Sequence, residues 1–142
     1  VTDADLVVLT THLQADEGLR LLPYTDTVGK LTIGWGRNLT DDGINRAEAA
    51  ILLQHDINRH TTDLFRLDPI VARLSGVRQI VLANMAFNLG TSRLAGFIKL
   101  WARLAVEDYA GAAREMRTST WASQVGERAQ RLAAAMETGI FP

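Results

Sequence analysis

Residues 17–36 read Glu17-Gly18-Leu19-Arg20-Leu21-Leu22-Pro23-Tyr24-Thr25-Asp26-Thr27-Val28-Gly29-Lys30-Leu31-Thr32-Ile33-Gly34-Trp35-Gly36. Gly18 marks the end of a helix. Leu19 to Tyr24 reads as a strand, and Thr25 to Gly29 as the turn that follows it. From Lys30 the pattern alternates: Leu31, Ile33 and Trp35 point one way, Lys30, Thr32, Gly34 and Gly36 the other. The second face is nearly bare around Thr32, which leaves room for something to lie against the backbone. Gly34 and Gly36 suit a bulge equally well. This is the one strand region the chain offers, and helical patterns surround it.

Towards the N-terminus, the spacing predicts a helix over Asp3 to Glu17 with Thr2 as N-cap. Leu6, Leu9 and Leu13 follow the spacing of one buried face. At about 100° per residue, Glu17 falls within roughly 20° of Leu6 around the axis. Towards the C-terminus, Asn45 with Glu48 three residues on starts a helix that Asp68-Pro69 stops. Further helices are predicted over about Val77 to Leu89 (ended by Gly90), Leu94 to Leu104, Tyr109 to Met116, and Glu127 to Thr138 (closed by Gly139). The fold class is therefore α+β and mostly helical: a small hairpin lobe (about 18–60) beside a larger helical lobe (about 68–142, with the N-terminal helix). A cleft between them is the expected ligand site.

Composition agrees with one globular domain. The 142 residues are 47% apolar and 22% charged, without cysteine, so thiol nucleophiles and cysteine-held zinc are excluded. His12, His55 and His60 form no metal-ligand pattern, and neither metal nor cofactor is expected. No apolar run is long enough to span a membrane. The first residues, Val1-Thr2-Asp3-Ala4-Asp5, lack the basic-then-apolar layout of a secretory signal. Charge is uneven: residues 1–70 carry 6 basic and 11 acidic groups, residues 71–142 carry 9 and 5. That asymmetry could steer an anionic polymer to the C-terminal half, or be mere drift between two helical surfaces. Without a dense basic cluster, nucleic acid is not an expected partner.

Three residues carry candidate chemistry. A carboxyl on the apolar side of a helix end is partly desolvated, which favours the protonated form that a general acid needs. Glu17 fits that description, although on periodicity alone an exposed residue at a fraying helix end is the simpler reading. Asp26 could be a plain turn residue and Thr32 a plain strand residue. Together they are a buried-side Glu, a turn Asp and a Thr on a bare face. Two carboxyl groups flanking a cleft are the usual equipment for glycosidic hydrolysis. Trp35, Trp101 and Trp121 could stack on sugar rings, but core packing is the simpler expectation.

Residues 17–36 also closely resemble the active-site segment of the phage-type (T-even bacteriophage) lysozymes. That family's pattern is E-G-x-x-x-x-x-Y-x-D-x-x-G-x-x-T-x-G-x-G, and every fixed position is filled. The likeness continues through Asn84-Met85-Ala86-Phe87-Asn88-Leu89-Gly90 and Ala95-Gly96-Phe97. It then takes in Trp121, Gln124, Arg128, Ala129, Arg131 and Thr138-Gly139, so roughly residues 10–141 are covered.

The resemblance implies a monomeric inverting muramidase. Glu17 would protonate the leaving oxygen, Asp26 would act with the attacking water, and Thr32 would help hold that water. Phe87 and Gly34 would contact the saccharide. Arg128 would support the active site by pairing with Glu17, and Arg131 would pair with Asp16. Arg37 departs from the family, standing where many members have His. The connection Leu39 to Gly43 is short. Leu100 and Glu115 are unlike the saccharide contacts of longer members, so no such role is assigned to them. A lytic transglycosylase or an inactive wall-binding module are the other classes, and intact Asp26 and Thr32 argue against both. The setting implied is synthesis in a bacterial cytoplasm, with release to the wall through a pore or delivery by a phage particle. Free endolysin, tail-associated lysozyme and toxin domain all remain open.

Overall fold

The computed structural model describes all 142 residues. The first helix, α1 (Asp3–Glu17), leads into a sheet of β1 (Arg20–Thr25), β2 (Leu31–Gly34) and β3 (Arg37–Asn38). Then come α2 (Arg46–Leu67), a 3₁₀ turn (Pro69–Arg73), α3 (Gly76–Leu89), α4 (Thr91–Ala95), α5 (Ile98–Ala105), α6 (Tyr109–Arg117), α7 (Thr120–Val125) and α8 (Glu127–Thr138). The class is α+β with helix dominant. No helix is long and apolar enough to cross a membrane. Contacts divide the chain into two compact units, Val1–Ile51 and Leu52–Pro142, with the division inside α2.

In the first unit, α1 has the bounds its caps dictate. Thr2 and Asp5 form a capping box, and Gly18 closes the helix with its N–H on the Gln14 carbonyl. Its leucine stripe departs from expectation. Leu6, Leu9 and Leu13 remain 46–49% exposed, although less so than Val7 and Val8 at 67% and 57%. A helix buries its stripe only under a second layer, and three short strands do not supply one here.

The sheet is antiparallel in the order β1-β2-β3. Pro23 is tolerated because β1 is an edge strand, and the β1–β2 register shifts between Arg20 and Tyr24. The third strand was not expected. It forms because Gly34 and Gly36, with φ of +69° and +78°, let the chain reverse so that Ile33 pairs with Arg37 and Thr32 with Asn38. On the central strand Thr32 is 4% exposed, so its surroundings are filled rather than bare. Trp35, expected in a core, sits in the turn after β2 and is 48% exposed.

The second unit holds the hydrophobic core. In α3, Val81, Leu82, Met85 and Ala86 are fully buried, the spacing of one helix face. Truncating Met85 there to Ala would cost about 2–5 kcal/mol. Helix α6 packs against α8 through faces that include the fully buried small residues Ala112, Ala113, Ala129 and Ala133. Arg78 joins three helices. Its guanidinium lies 3.6 Å from the Tyr109 ring centre and donates to the carbonyls of Met136 (2.8 Å) and Glu137 (3.2 Å) at the end of α8.

The single helix expected over Leu94–Leu104 is two, α4 and α5, because the chain breaks at Gly96-Phe97. The Gly96 N–H donates to the Arg93 carbonyl and the Phe97 N–H to that of Leu94, and Phe97 has ψ of 59°. Helix α7, read from sequence as connection, is capped by the Ser119 hydroxyl, which accepts from the Ala122 N–H. Trp121 within it is core, as expected, and its indole N–H donates to the Asn88 side chain at 2.8 Å.

Candidate active site

The first unit brings Glu17, Asp26, Thr32, Gly34 and Gly36 onto a helix end and the hairpins that follow it. Glu17 is the last residue of α1 and is exposed, so the apolar stripe does not enclose it as the sequence suggested. Its carboxylate lies beside Gly36. A β-carbon on Gly36 would meet Glu17 Oε2 at 2.8 Å and Cδ at 3.1 Å. The carboxylate thus rests on an α-carbon that only glycine leaves uncovered. Gly34 has open space where a side chain would stand, so this is the part of the β2 face that stays bare.

Asp26 occupies the turn between β1 and β2. Its Oδ1 accepts from the Val28 N–H (2.9 Å) and the Lys30 N–H (2.8 Å). The backbone closes the same turn, with Asp26 N–H on the Lys30 carbonyl at 2.8 Å. One carboxylate oxygen therefore fixes the side chain while Oδ2 is left to do other work. The buried Thr32 donates its hydroxyl proton to the Lys30 carbonyl at 3.1 Å, so its oxygen lone pairs remain as acceptors. Lys30 thereby links Asp26 and Thr32 through one residue's backbone.

The remaining residues lie in the second unit. Phe87 and Arg128 both line an apolar cavity of about 700 Å³ formed by α2, α3 and α8. Phe87 is 39% exposed and packs at a tilt against His60, with ring centres 5.4 Å apart. The Arg128 guanidinium forks onto Asn84, with Nε and Nη2 both donating to Oδ1 at 2.9 and 2.7 Å. Leu100 is core. Glu115 lies 3.9 Å from Arg103.

Sequence reasoning missed one assembly. Arg37 extends from β3 to Glu48 in the first turn of α2, and both its Nη groups donate to that carboxylate. The Asn45–Glu48 cap itself was legible, and the structure has it in both directions. Its extension to Arg37 depends on the unexpected third strand.

A model of the phage lysozyme family matches residues 14–136, a range that holds every residue placed above. The chain belongs to the phage lysozyme family. Among its curated relatives is a protein named probable T4-type lysozyme 2 from Dictyostelium discoideum. It is 31% identical, over 94% of this chain and 95% of that protein. Probable T4-type lysozyme 1 from the same organism is 27% identical over 91% and 93%. The pre-baseplate central spike protein Gp5 of Enterobacteria phage T4 is 29% identical over 89% of this chain, but the match spans only 27% of that longer protein. The matching region is thus nearly the whole of the first two relatives and about a quarter of the third.

Proposed function

We propose that this protein is a peptidoglycan hydrolase, a muramidase that cleaves the β-1,4 bond between N-acetylmuramic acid and N-acetylglucosamine. The observation that carries the reading is the Glu17 carboxylate seated on Gly36, beside the hairpin that holds Thr32 and a turn-fixed Asp26. Membership of a lysozyme family supports it.

In this mechanism Glu17 is the general acid that protonates the departing glycosidic oxygen. Asp26, steadied through Oδ1, uses Oδ2 to take a proton from the attacking water. The lone pairs of Thr32 help hold that water beneath the sugar. Water attacks opposite the leaving group, so the anomeric configuration inverts and no covalent intermediate forms. Gly34 leaves backbone open to a sugar ring, and Phe87 supplies an apolar surface for the glycan. No cofactor takes part, and the enzyme works as a monomer. It acts on the bacterial wall, reached through a membrane pore or by delivery on a phage particle. A turbidity assay on outer-membrane-permeabilised bacteria tests the reading. The wild type should clear the suspension, and folded Glu17→Gln should be slower by at least about 10²–10⁴-fold. Equal clearing by both would overturn it.

A further inference from the structure

Arg37 stands immediately after Gly36, the residue on which Glu17 rests. Its backbone pairs with Ile33 on β2, one residue from the buried Thr32. Its guanidinium leaves the sheet in two directions. Both Nη groups donate to Glu48, Nη1 to Oε2 at 3.3 Å and Nη2 to Oε1, and Nη1 also reaches the Gly43 carbonyl at 3.3 Å.

Glu48 is itself anchored. Its Oε2 accepts from the Asn45 N–H at 2.8 Å, and its own N–H donates to Asn45 Oδ1 at 2.9 Å. The backbone hydrogen bond from Asn45 outweighs desolvation and, with the side-chain hydrogen bond and charge of Arg37, holds the Glu48 carboxyl below its ordinary range. A single surface ion pair contributes little. A two-pronged Arg–carboxylate contact adds geometric definition, and lysine cannot reproduce the fork. The turn it holds needs such definition, because Gly34 and Gly36 both sit at positive φ and glycine resists distortion least.

We propose that Arg37 is a positioning residue for the reaction: through Glu48 it clamps the Gly34–Gly36 turn to the start of α2, and so fixes the seat of the Glu17 carboxylate. The proposal rests on the muramidase reading for its consequence in turnover, but the clamp acts on Glu17 whether or not substrate is cleaved. Misplacing a catalytic group by about 1 Å costs on the order of 10²-fold in rate. Glu17 acts on the departing oxygen, so the loss falls mainly on kcat, and Gly34 in the same turn carries the smaller change in KM.

The test uses Arg37→Met, Glu48→Gln, the double variant and Arg37→Lys, with soluble peptidoglycan fragments as substrate. Each is assayed well below its unfolding temperature. Arg37→Met and Glu48→Gln should each lower kcat by about 10–100-fold with a much smaller rise in KM. The double variant should fall no further, since both remove one contact. Arg37→Lys, which keeps stem and charge, should recover only part. Independently of activity, ¹³C NMR of the Glu17 carboxyl and the Gly36 amide resonance should move in Arg37→Met. Neither should move in Arg59→Met, which breaks an exposed pair with Asp56 on α2. An inactive wild type would defeat the muramidase reading while the resonances still judge the clamp. Unmoved resonances, or an unchanged kcat in folded Arg37→Met, would overturn it and leave the pair a structural role only.

Discussion

The carboxylate of Glu17 lies against the bare α-carbon of Gly36, with Oε2 2.8 Å from where a β-carbon would stand. Relief of that crowding is asymmetric. The far end of the exposed Glu17 side chain gives way before the Arg37-clamped backbone of the turn does.

Gly36→Ala should therefore displace Glu17 more than it unfolds the protein. The positive φ of +78° adds strain of about 1–2 kcal/mol, which thermal unfolding can read. Lysis should fall by about 10²-fold. Gly90→Ala is the comparison, since Gly90 has a φ of +84° and nothing within 4 Å of the added carbon. It should lose similar stability and keep far more activity. Matching activity losses in the two variants would mean that backbone strain, rather than the carboxylate, accounts for the effect.

Asp26→Asn separates the structural from the chemical role of that side chain. An amide oxygen can still accept from Val28 and Lys30, so the turn should persist and the unfolding temperature change little. The freed Oδ2 becomes an amide nitrogen that cannot take a proton, and turnover should fall by about 10²-fold or more. Asp26→Ala should lose activity and also about 1–3 kcal/mol of stability, because two turn N–H groups lose their acceptor. A fully active, folded Asp26→Asn would remove Asp26 from the mechanism.

Arg128 and Arg114 differ in partners rather than charge. Arg128 forks onto Asn84 and reaches its carbonyl at 3.3 Å, whereas Arg114 is exposed on α6. Arg128→Ala should cost about 1–3 kcal/mol in denaturant unfolding, and Arg114→Ala less than about 0.5 kcal/mol. Equal losses would show that the Asn84 contact contributes nothing to stability.

Three carboxylates make stability depend on acidic pH. Asp5, Glu48 and Asp108 are held below their ordinary range, first by backbone hydrogen bonds from Thr2, Asn45 and Gly111 respectively. A depressed folded value means the stabilisation is complete above the unfolded pKa and disappears as pH falls through the folded one. Unfolding temperature should thus decline below about pH 4. Asp108→Asn, which keeps an N-cap acceptor for Gly111, should shrink that decline. An unchanged slope in Asp108→Asn would exclude Asp108 from it.

Much of this was legible in the sequence where local chemistry decides. Thr2 and Gly18 set the ends of α1, Asn45 with Glu48 set the start of α2, and Gly139 closed α8. Tertiary context decided the rest. The periodic stripe Leu6-Leu9-Leu13 states which side of α1 is apolar, but not whether anything covers it. Two glycines separated by Trp35 read as a bulge on one strand, yet their positive φ angles turn the chain into β3. The same holds for the candidate site. Glu17, Asp26 and Thr32 were visible as a pattern. The seating of Glu17 on Gly36 and the Arg37–Glu48 clamp require the chain to reverse first.

If Glu17 drives hydrolysis of a β-linked glycan, the configuration of the new chain ends records it. In an inverting hydrolase the acid and the base stand about 6.5–9.5 Å apart, so that water fits between. Early-time proton NMR of a peptidoglycan digest should show α-configured reducing ends appearing before mutarotation, and none over the same interval with Glu17→Gln. First-formed β ends, 1,6-anhydro ends, no new ends from the wild type, or undiminished release by Glu17→Gln would contradict the account.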